Sequence, residues 1–222
     1  MNKKLLTAGA LALAAFGAQA QTAGTWFGGI GITRISPNTD SGALSPPSAP
    51  NTTVEVGGDT KPTIFIGRMI TDHWSVELPI GLGFKSDIKG TGGIAGVGTI
   101  GTVRSLPITV FGQYRFLEPS SRWRPYAMLG LTYAHFYDAR GSATLNGINP
   151  ANPPGGNTGL KVDSRFGFAP GVGVSFNVTD RFFVDLQYAH TFLRTTTTLS
   201  TGQTIGTKLD PDVFRIAVGT RF

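Results

Sequence analysis

The last ten residues of this 222-residue chain alternate between two very different faces. Phe214, Ile216, Val218, Thr220 and Phe222 share one face of an extended segment; Val213, Arg215, Ala217, Gly219 and Arg221 share the other. A period of two is the signature of a strand. Large apolar groups backed by glycine, alanine and arginine describe a strand with lipid outside and a lumen inside. A sheet in lipid has no water to satisfy its edges, so it must close on itself.

The same phase recurs upstream. Trp74, Val76, Leu78, Ile80, Leu82 and Phe84 oppose Ser75, Glu77, Gly81 and Gly83, and Leu106, Ile108, Val110, Tyr114 and Phe116 oppose Thr109, Phe111, Gln113 and Arg115. Ala127, Leu129, Leu131 and Tyr133 alternate with Met128, Gly130, Thr132 and Ala134. Phe166, Phe168, Val172, Val174 and Phe176 alternate with Arg165, Gly167, Ala169, Gly171, Gly173 and Ser175. Phe182, Val184, Leu186 and Tyr188 alternate with Phe183, Asp185, Gln187 and Ala189. Segments near residues 26–34 and 63–70 complete eight strands, with Arg68 outward and required to snorkel to the interface. The intervening stretches run long (35–61), tight (71–73), long and Gly-rich (85–104), short (117–124), long (140–161), tight (177–180) and long and Thr-rich (195–208). Long loops outside and short turns in the periplasm are the pattern of an even-stranded outer-membrane barrel. The fold expected is all-β: an eight-stranded antiparallel transmembrane β-barrel.

The N-terminus reads as a cleaved signal peptide over residues 1–20. Lys3 and Lys4 precede an apolar stretch of about a dozen residues, shorter than the ~20 a spanning helix needs. Ala18-Gln19-Ala20 supplies the small-x-small pattern, which places cleavage between Ala20 and Gln21 and leaves residues 21–222 as the barrel. Without cysteine there is no disulfide framework and no acylated lipoprotein anchor. Beyond the leader no apolar run approaches the ~18 residues of a membrane helix. The basic balance of +6 is carried by dispersed charges without a Lys/Arg cluster, which argues against a nucleic-acid partner.

Eight strands enclose an interior just wide enough for side chains or one narrow path, so a general water-filled porin is a poor reading. The inward set expected to line the lumen comprises Glu77, Phe111, Gln113, Arg115, Met128, Arg165, Phe183, Asp185, Gln187 and Arg215, with Arg221 a further inward charge. Charges at the edge of low dielectric must pair; a salt-bridged plug and a gate both satisfy that need. Phe111, Met128 and Phe183 suit either an apolar path or simple packing. Pro79, Pro107 and Pro170 interrupt strand-like segments, and proline donates nothing to a ladder. They mark bulges or a sideways exit to lipid. Catalysis has little support: His190 has no nearby serine partner, and no glutamate follows Glu118. Three dispersed histidines, with His135 and His190 outward, argue against a metal site. No catalytic residue, metal or other cofactor is expected.

Several motifs in order resemble those of the OmpW family of small outer-membrane barrels. Leu106-Pro107-Ile108-Thr109-Val110-Phe111-Gly112-Gln113-Tyr114-Arg115-Phe116 is similar to its "LP … QYxF" strand. Arg124-Pro125-Tyr126 with Gly130-Leu131-Thr132-Tyr133 resembles its "RPYxGxGxNY" strand, and Leu160-Lys161-Val162-Asp163-Ser164 its "LKxDDS" segment. Leu209-Asp210-Pro211 through Phe222 is similar to its "xDPxxF…GYRF" ending, and Thr71-Asp72-His73-Trp74-Ser75-Val76-Glu77-Leu78 to its "TDNxxVEL" turn and strand. Outward Phe214 and the terminal Phe222 look like the C-terminal signal read by the outer-membrane assembly machinery. The departures are a Pro/Ser-rich stretch at 41–50 and an enlarged segment around 153–156, both in loops. The resemblance implies residence in the Gram-negative outer membrane, among bilayer lipid and lipopolysaccharide. It also implies passive uptake of small hydrophobic compounds, with lateral release into the membrane. A structural or adhesive barrel, or a phage or bacteriocin receptor without transport, is the alternative.

Overall fold

The computed structural model describes residues 22–222. The expected leader and its Ala20–Gln21 junction lie outside the described residues. In chain order the elements are β1 (Trp26–Ser36), β2 (Asp40–Ser41), β3 (Thr52–Val56), β4 (Asp59–Met69), β5 (Trp74–Gly81), β6 (Phe84–Gly92), β7 (Thr99–Arg115), β8 (Trp123–Gly141), α1 (Ala143–Ile148), β9 (Leu160–Val162), β10 (Arg165–Asn177), β11 (Phe182–His190), β12 (Arg194–Leu199), β13 (Thr204–Lys208) and β14 (Asp212–Arg221).

Eight of these strands form the wall, in the order β7, β5, β4, β1, β14, β11, β10, β8, and the β8–β7 ladder closes it. Every pairing is antiparallel. Closure pairs the wall's edges over most of their length, which is what lets a sheet survive in hydrocarbon. The alternation read from the sequence sets which side each residue faces. Ile30, Ile64, Val110, Leu129, Leu131, Val172 and Val218 stay exposed, while Phe27, Phe65, Phe111, Met128, Phe183 and Ala217 are buried. An apolar exterior over a partly polar interior inverts the soluble pattern and suits a lipid solvent.

Aromatic rings mark both rims of that band. Near the tight turns lie Trp26, Trp74, Tyr114, Trp123, Phe176 and Phe182, where Trp74 meets Tyr114 and Trp123 meets Phe176. Outward Arg68 lays its guanidinium over Trp26, 5.4 Å from the ring centre, so it reaches the rim as expected. At the other rim Tyr133, His135 and Tyr137 stack in sequence along β8, with Phe166 and Phe168 on neighbouring β10.

The long connections are more ordered than their composition suggests. Residues 85–104, expected as a loop, continue the wall as the β6–β7 hairpin, with β3 added at its edge. The Thr-rich stretch 195–208 is the β12–β13 hairpin and joins β2 and β9 in a four-stranded outer sheet. Threonine is β-branched and favours extended backbone. Thr195, Leu199, Ile205 and Thr207 are buried and supply the apolar or half-apolar face the hairpin needs to stay folded. Within 140–161, α1 is a short helix whose Ser142 Oγ accepts a hydrogen bond from the Leu145 amide at 3.3 Å.

Candidate functional site

The half of the lumen nearest the tight turns is filled. Phe27, Phe65 and Phe183 form a triangle with ring centres 6.2–6.4 Å apart. Gly67 faces Phe27 and Gly173 faces Tyr126 so closely that a Cβ at either position would fall 2.3 Å from the ring. Those glycines are what leave room for inward aromatics. Guanidinium groups sandwich the rings: Arg115 over Phe27 and Tyr126, Arg215 over Phe65, and Arg221 over Phe183, at 4.5–5.1 Å.

A polar network threads the same layer. Arg215 Nη2 lies 2.8 Å from Glu77 Oε1, an ion contact rather than an aligned hydrogen bond, and 3.3 Å from Asp185 Oδ1. Tyr126 and Ser175 donate to Asp185 at 2.9 and 2.8 Å. Arg115 donates to Ser175, Ser75 and Gln113 Oε1 at 2.8–3.2 Å. Glu77, Asp185, Arg115 and Arg215 are all almost fully buried. Two carboxylates and two guanidiniums therefore balance in a layer that crosses the barrel. Arg124, buried below it, donates to the Asp72 carbonyl at 2.6 Å and ties the β7–β8 turn to the β4–β5 turn.

Above this floor the lumen opens into a cavity of about 190 Å³. Phe111, Gln187, Ala189, Val213 and Arg215 form its lower wall. Higher up the lining is mostly aliphatic, with Ile88, Ile100 and Val103 from the barrel extension, Leu160, Leu199 and Ile205 from the outer sheet, and Leu209 just after β13. Pro79, Gly81, Leu106 and Pro107 contribute a side wall.

That side wall lies where the ladder is interrupted. β5 pairs with β7 from Trp74↔Tyr114 to Glu77↔Phe111, and pairing resumes at Phe84↔Ser105 with β6. Between these points residues 78–83 and 106–110 have no rungs to each other. The register also slips there, six residues on one strand against five on the other. Each side is held by its other neighbour, β5 by β4 and β7 by β8. The hydrogen-bond phase explains the prolines. Ile70 donates to Trp74 across the β4–β5 turn and Phe116 donates to Pro125 across the β7–β8 turn. Antiparallel rungs alternate, so the odd-numbered residues of β5 and β7 turn their amides toward each other. Pro79 and Pro107 are both odd, and both missing N–H groups fall on the interrupted seam.

Pro170 differs. Register runs from Gly171↔Ala189 to the Phe168↔Phe192 bridge without a slip, so this proline removes one rung and opens no gap. Of the other residues expected in the lumen, Glu77, Phe111, Gln113, Arg115, Met128, Phe183, Asp185, Gln187 and Arg215 are buried inside. Arg165 is not. It keeps the inward phase but sits at the rim with its side chain 52% exposed, paired to Asp163 at 3.0 Å. Arg165→Gln is expected to change barrel stability by less than about 1 kcal/mol, read from urea unfolding, as befits an exposed pair. Phe27, Phe65 and Tyr126 complete the floor and were not singled out by sequence. Their phase shares the glycine face, but apolar character alone does not distinguish an inward ring from an outward one. Among the described residues no group of three His, Cys, Asp or Glu is placed to hold a metal.

The profile of the OmpW family matches residues 22–222. Outer membrane protein W of Vibrio cholerae serotype O1 is 31% identical over 198 residues, covering 86% of each chain. Its counterpart in Escherichia coli K12 is 30% identical over 230 aligned residues, covering 99% of this chain and all of the relative. The crystal structure of outer membrane protein OprG from Pseudomonas aeruginosa superposes with a TM-score of 0.82 at 21% identity, covering 92% of this chain and 98% of that one. The solid-state NMR structure of outer membrane protein AlkL in lipid bilayers gives a TM-score of 0.62 at 18% identity, covering 90% of this chain and 91% of that one. These two likenesses concern the fold; the sequence matches span the barrel from first strand to last. The chain belongs to the OmpW family of Gram-negative outer-membrane β-barrels.

Proposed function

We propose that this barrel admits small hydrophobic molecules from the cell exterior and releases them sideways into the outer membrane through the seam between β5 and β7. The observation that carries the reading is the position of the interrupted ladder. Pro79, Gly81, Leu106 and Pro107 bound the apolar cavity on one side and stand beside the lipid-facing Ile80, Leu82 and Ile108 on the other. Straight passage would require an apolar solute to part a floor of packed rings and paired charges. Separating buried charges costs several kcal/mol each. A sideways step keeps the solute against aliphatic side chains and then acyl chains. The same reading assigns no catalytic step to the barrel.

The test is entry of radiolabelled naphthalene or a medium-chain alkane into a deletion strain, with and without the complementing barrel. Faster entry with the barrel is expected. A Gly81→Trp variant should return entry toward the deletion rate. A Cβ at Gly81 meets the Thr63 methyl at 3.0 Å and a Phe84 ring atom at 3.8 Å, so the indole can be seated at the cavity wall with small adjustments. Equal rates in all strains, with the barrel shown folded by heat-modifiable gel mobility, would leave a structural or surface-binding role.

A further inference from the structure

We propose that the outer face beside this seam carries a binding site for one phosphorylated acyl saccharolipid of the outer leaflet, a molecule of the lipid A class. Lys85 on β6 and Arg104 on β7 are register partners, and both are exposed and on the outward side of the wall. Like charges directly opposite across a ladder destabilise it. Asp138 at 3.4 Å offsets part of the Arg104 charge, but among the described residues no carboxylate pairs with the Lys85 ammonium, and an anion between the two cations would relieve their repulsion.

A third cation stands at the same height. Arg34 on β1 pairs across to Thr60, the neighbour of Asp59, whose carboxylate accepts the Lys85 amide at 2.8 Å. The nearby acids are already engaged. Asp59 also accepts from the Thr60 amide at 2.7 Å and faces Lys61 at 3.4 Å, and Asp138 is held by Arg140 at 2.7 Å with Arg104 further off at 3.4 Å. Asp87 lies one step higher, opposite Thr102. Among the described residues no carboxylate pairs with Arg34 or with the Lys85 ammonium.

Beneath these cations is the complement an acyl chain needs. Ile32, Pro62, Ile64, Ile80 and Leu82 line an apolar groove on the lipid-facing wall. Ile32 lies two residues down the outward face from Arg34, and Leu82 three residues before Lys85. Cations at the interface directly above an aliphatic furrow match phosphate above hydrocarbon, with the phosphates at headgroup level. A phosphate without chains would use only the rim, and an apolar solute only the groove.

The test is native mass spectrometry of the refolded barrel in neutral detergent, titrated with bisphosphorylated, hexa-acylated lipid A. One adduct is expected. The Lys85→Gln/Arg104→Gln double variant should bind about 30-fold more weakly, from roughly 1 kcal/mol per interfacial cation. Lys85→Arg should bind like the wild type, and dephosphorylated lipid A should bind as weakly as the double variant. Neither inorganic phosphate nor phosphatidylglycerol should displace the adduct. Unchanged binding by a folded double variant, or displacement by phosphatidylglycerol at matching concentration, would overturn the site. No hydrocarbon uptake enters the measurement, so this proposal and the transport reading can fail separately.

Discussion

Replacing Arg215 with alanine is expected to destabilise the barrel by about 3–5 kcal/mol, the usual consequence of removing one partner from a buried ion cluster. Arg215 faces Glu77 at 2.8 Å and Asp185 at 3.3 Å, and its guanidinium lies 4.5 Å from the centre of the Phe65 ring. Its loss leaves two carboxylates in one dry layer with Arg115 as the remaining nearby cation, and it leaves a hole against Phe65. The measurement is urea unfolding of the barrel in detergent, followed by tryptophan fluorescence and gel mobility. Glu77→Gln should cost less, because Asp185 still pairs with Arg215 and the amide keeps the volume. If Arg215→Ala unfolds at the wild-type urea concentration, the floor is not held by its charges and the packed aromatics carry it alone.

Converting both seam prolines to valine should close the side wall. With Pro79→Val and Pro107→Val in place, the lower register extends one rung at a time. The new amide at 79 faces the Thr109 carbonyl, and the amide at 107 faces the Gly81 carbonyl. Two added backbone hydrogen bonds are worth about 1–3 kcal/mol net in water, and the gain is larger where lipid offers no competing partner. The double variant is therefore expected to resist urea better than the wild type while carrying apolar probes no faster than the deletion strain. Pro170→Val, which restores a single rung in a continuous register, should leave entry unchanged. Normal uptake by a stabilised double variant would show that the seam is not the exit. This pair of readouts separates a blocked path from a misfolded barrel, because misfolding lowers stability instead of raising it.

What an interrupted wall costs also explains why the prolines are placed as they are. An amide left unpaired in hydrocarbon costs several kcal/mol. Proline has no amide to leave unpaired, so Pro79 and Pro107 remove two of the donors that would face the gap and lower its cost.

Much of this was legible in the order of residues, for a simple reason. Side-chain direction in a strand depends only on parity, so the Phe214–Phe222 alternation and its repeats dictate which groups meet lipid and which fill the lumen. Short turns and long connections follow the same logic, and the buried set from Glu77 to Arg215 came out of parity alone. Parity does not report how enclosed a position is, and Arg165, inward by phase, is an exposed rim residue paired with Asp163. Nor does it report which neighbour an amide faces. Three prolines look alike in sequence, yet the hydrogen-bond phase of the flanking turns aims two of them at one seam and leaves the third in a continuous ladder. The outer hairpins were missed because a Thr- or Gly-rich stretch reads as loop until a cavity beneath it gives Leu199, Ile205 and Leu209 something to cover. Composition and period decided that the chain closes into a barrel in lipid. Pairing across the barrel decided where the wall is open, what seals its floor and which cations face one another at its rim, because those contacts join residues far apart in the chain.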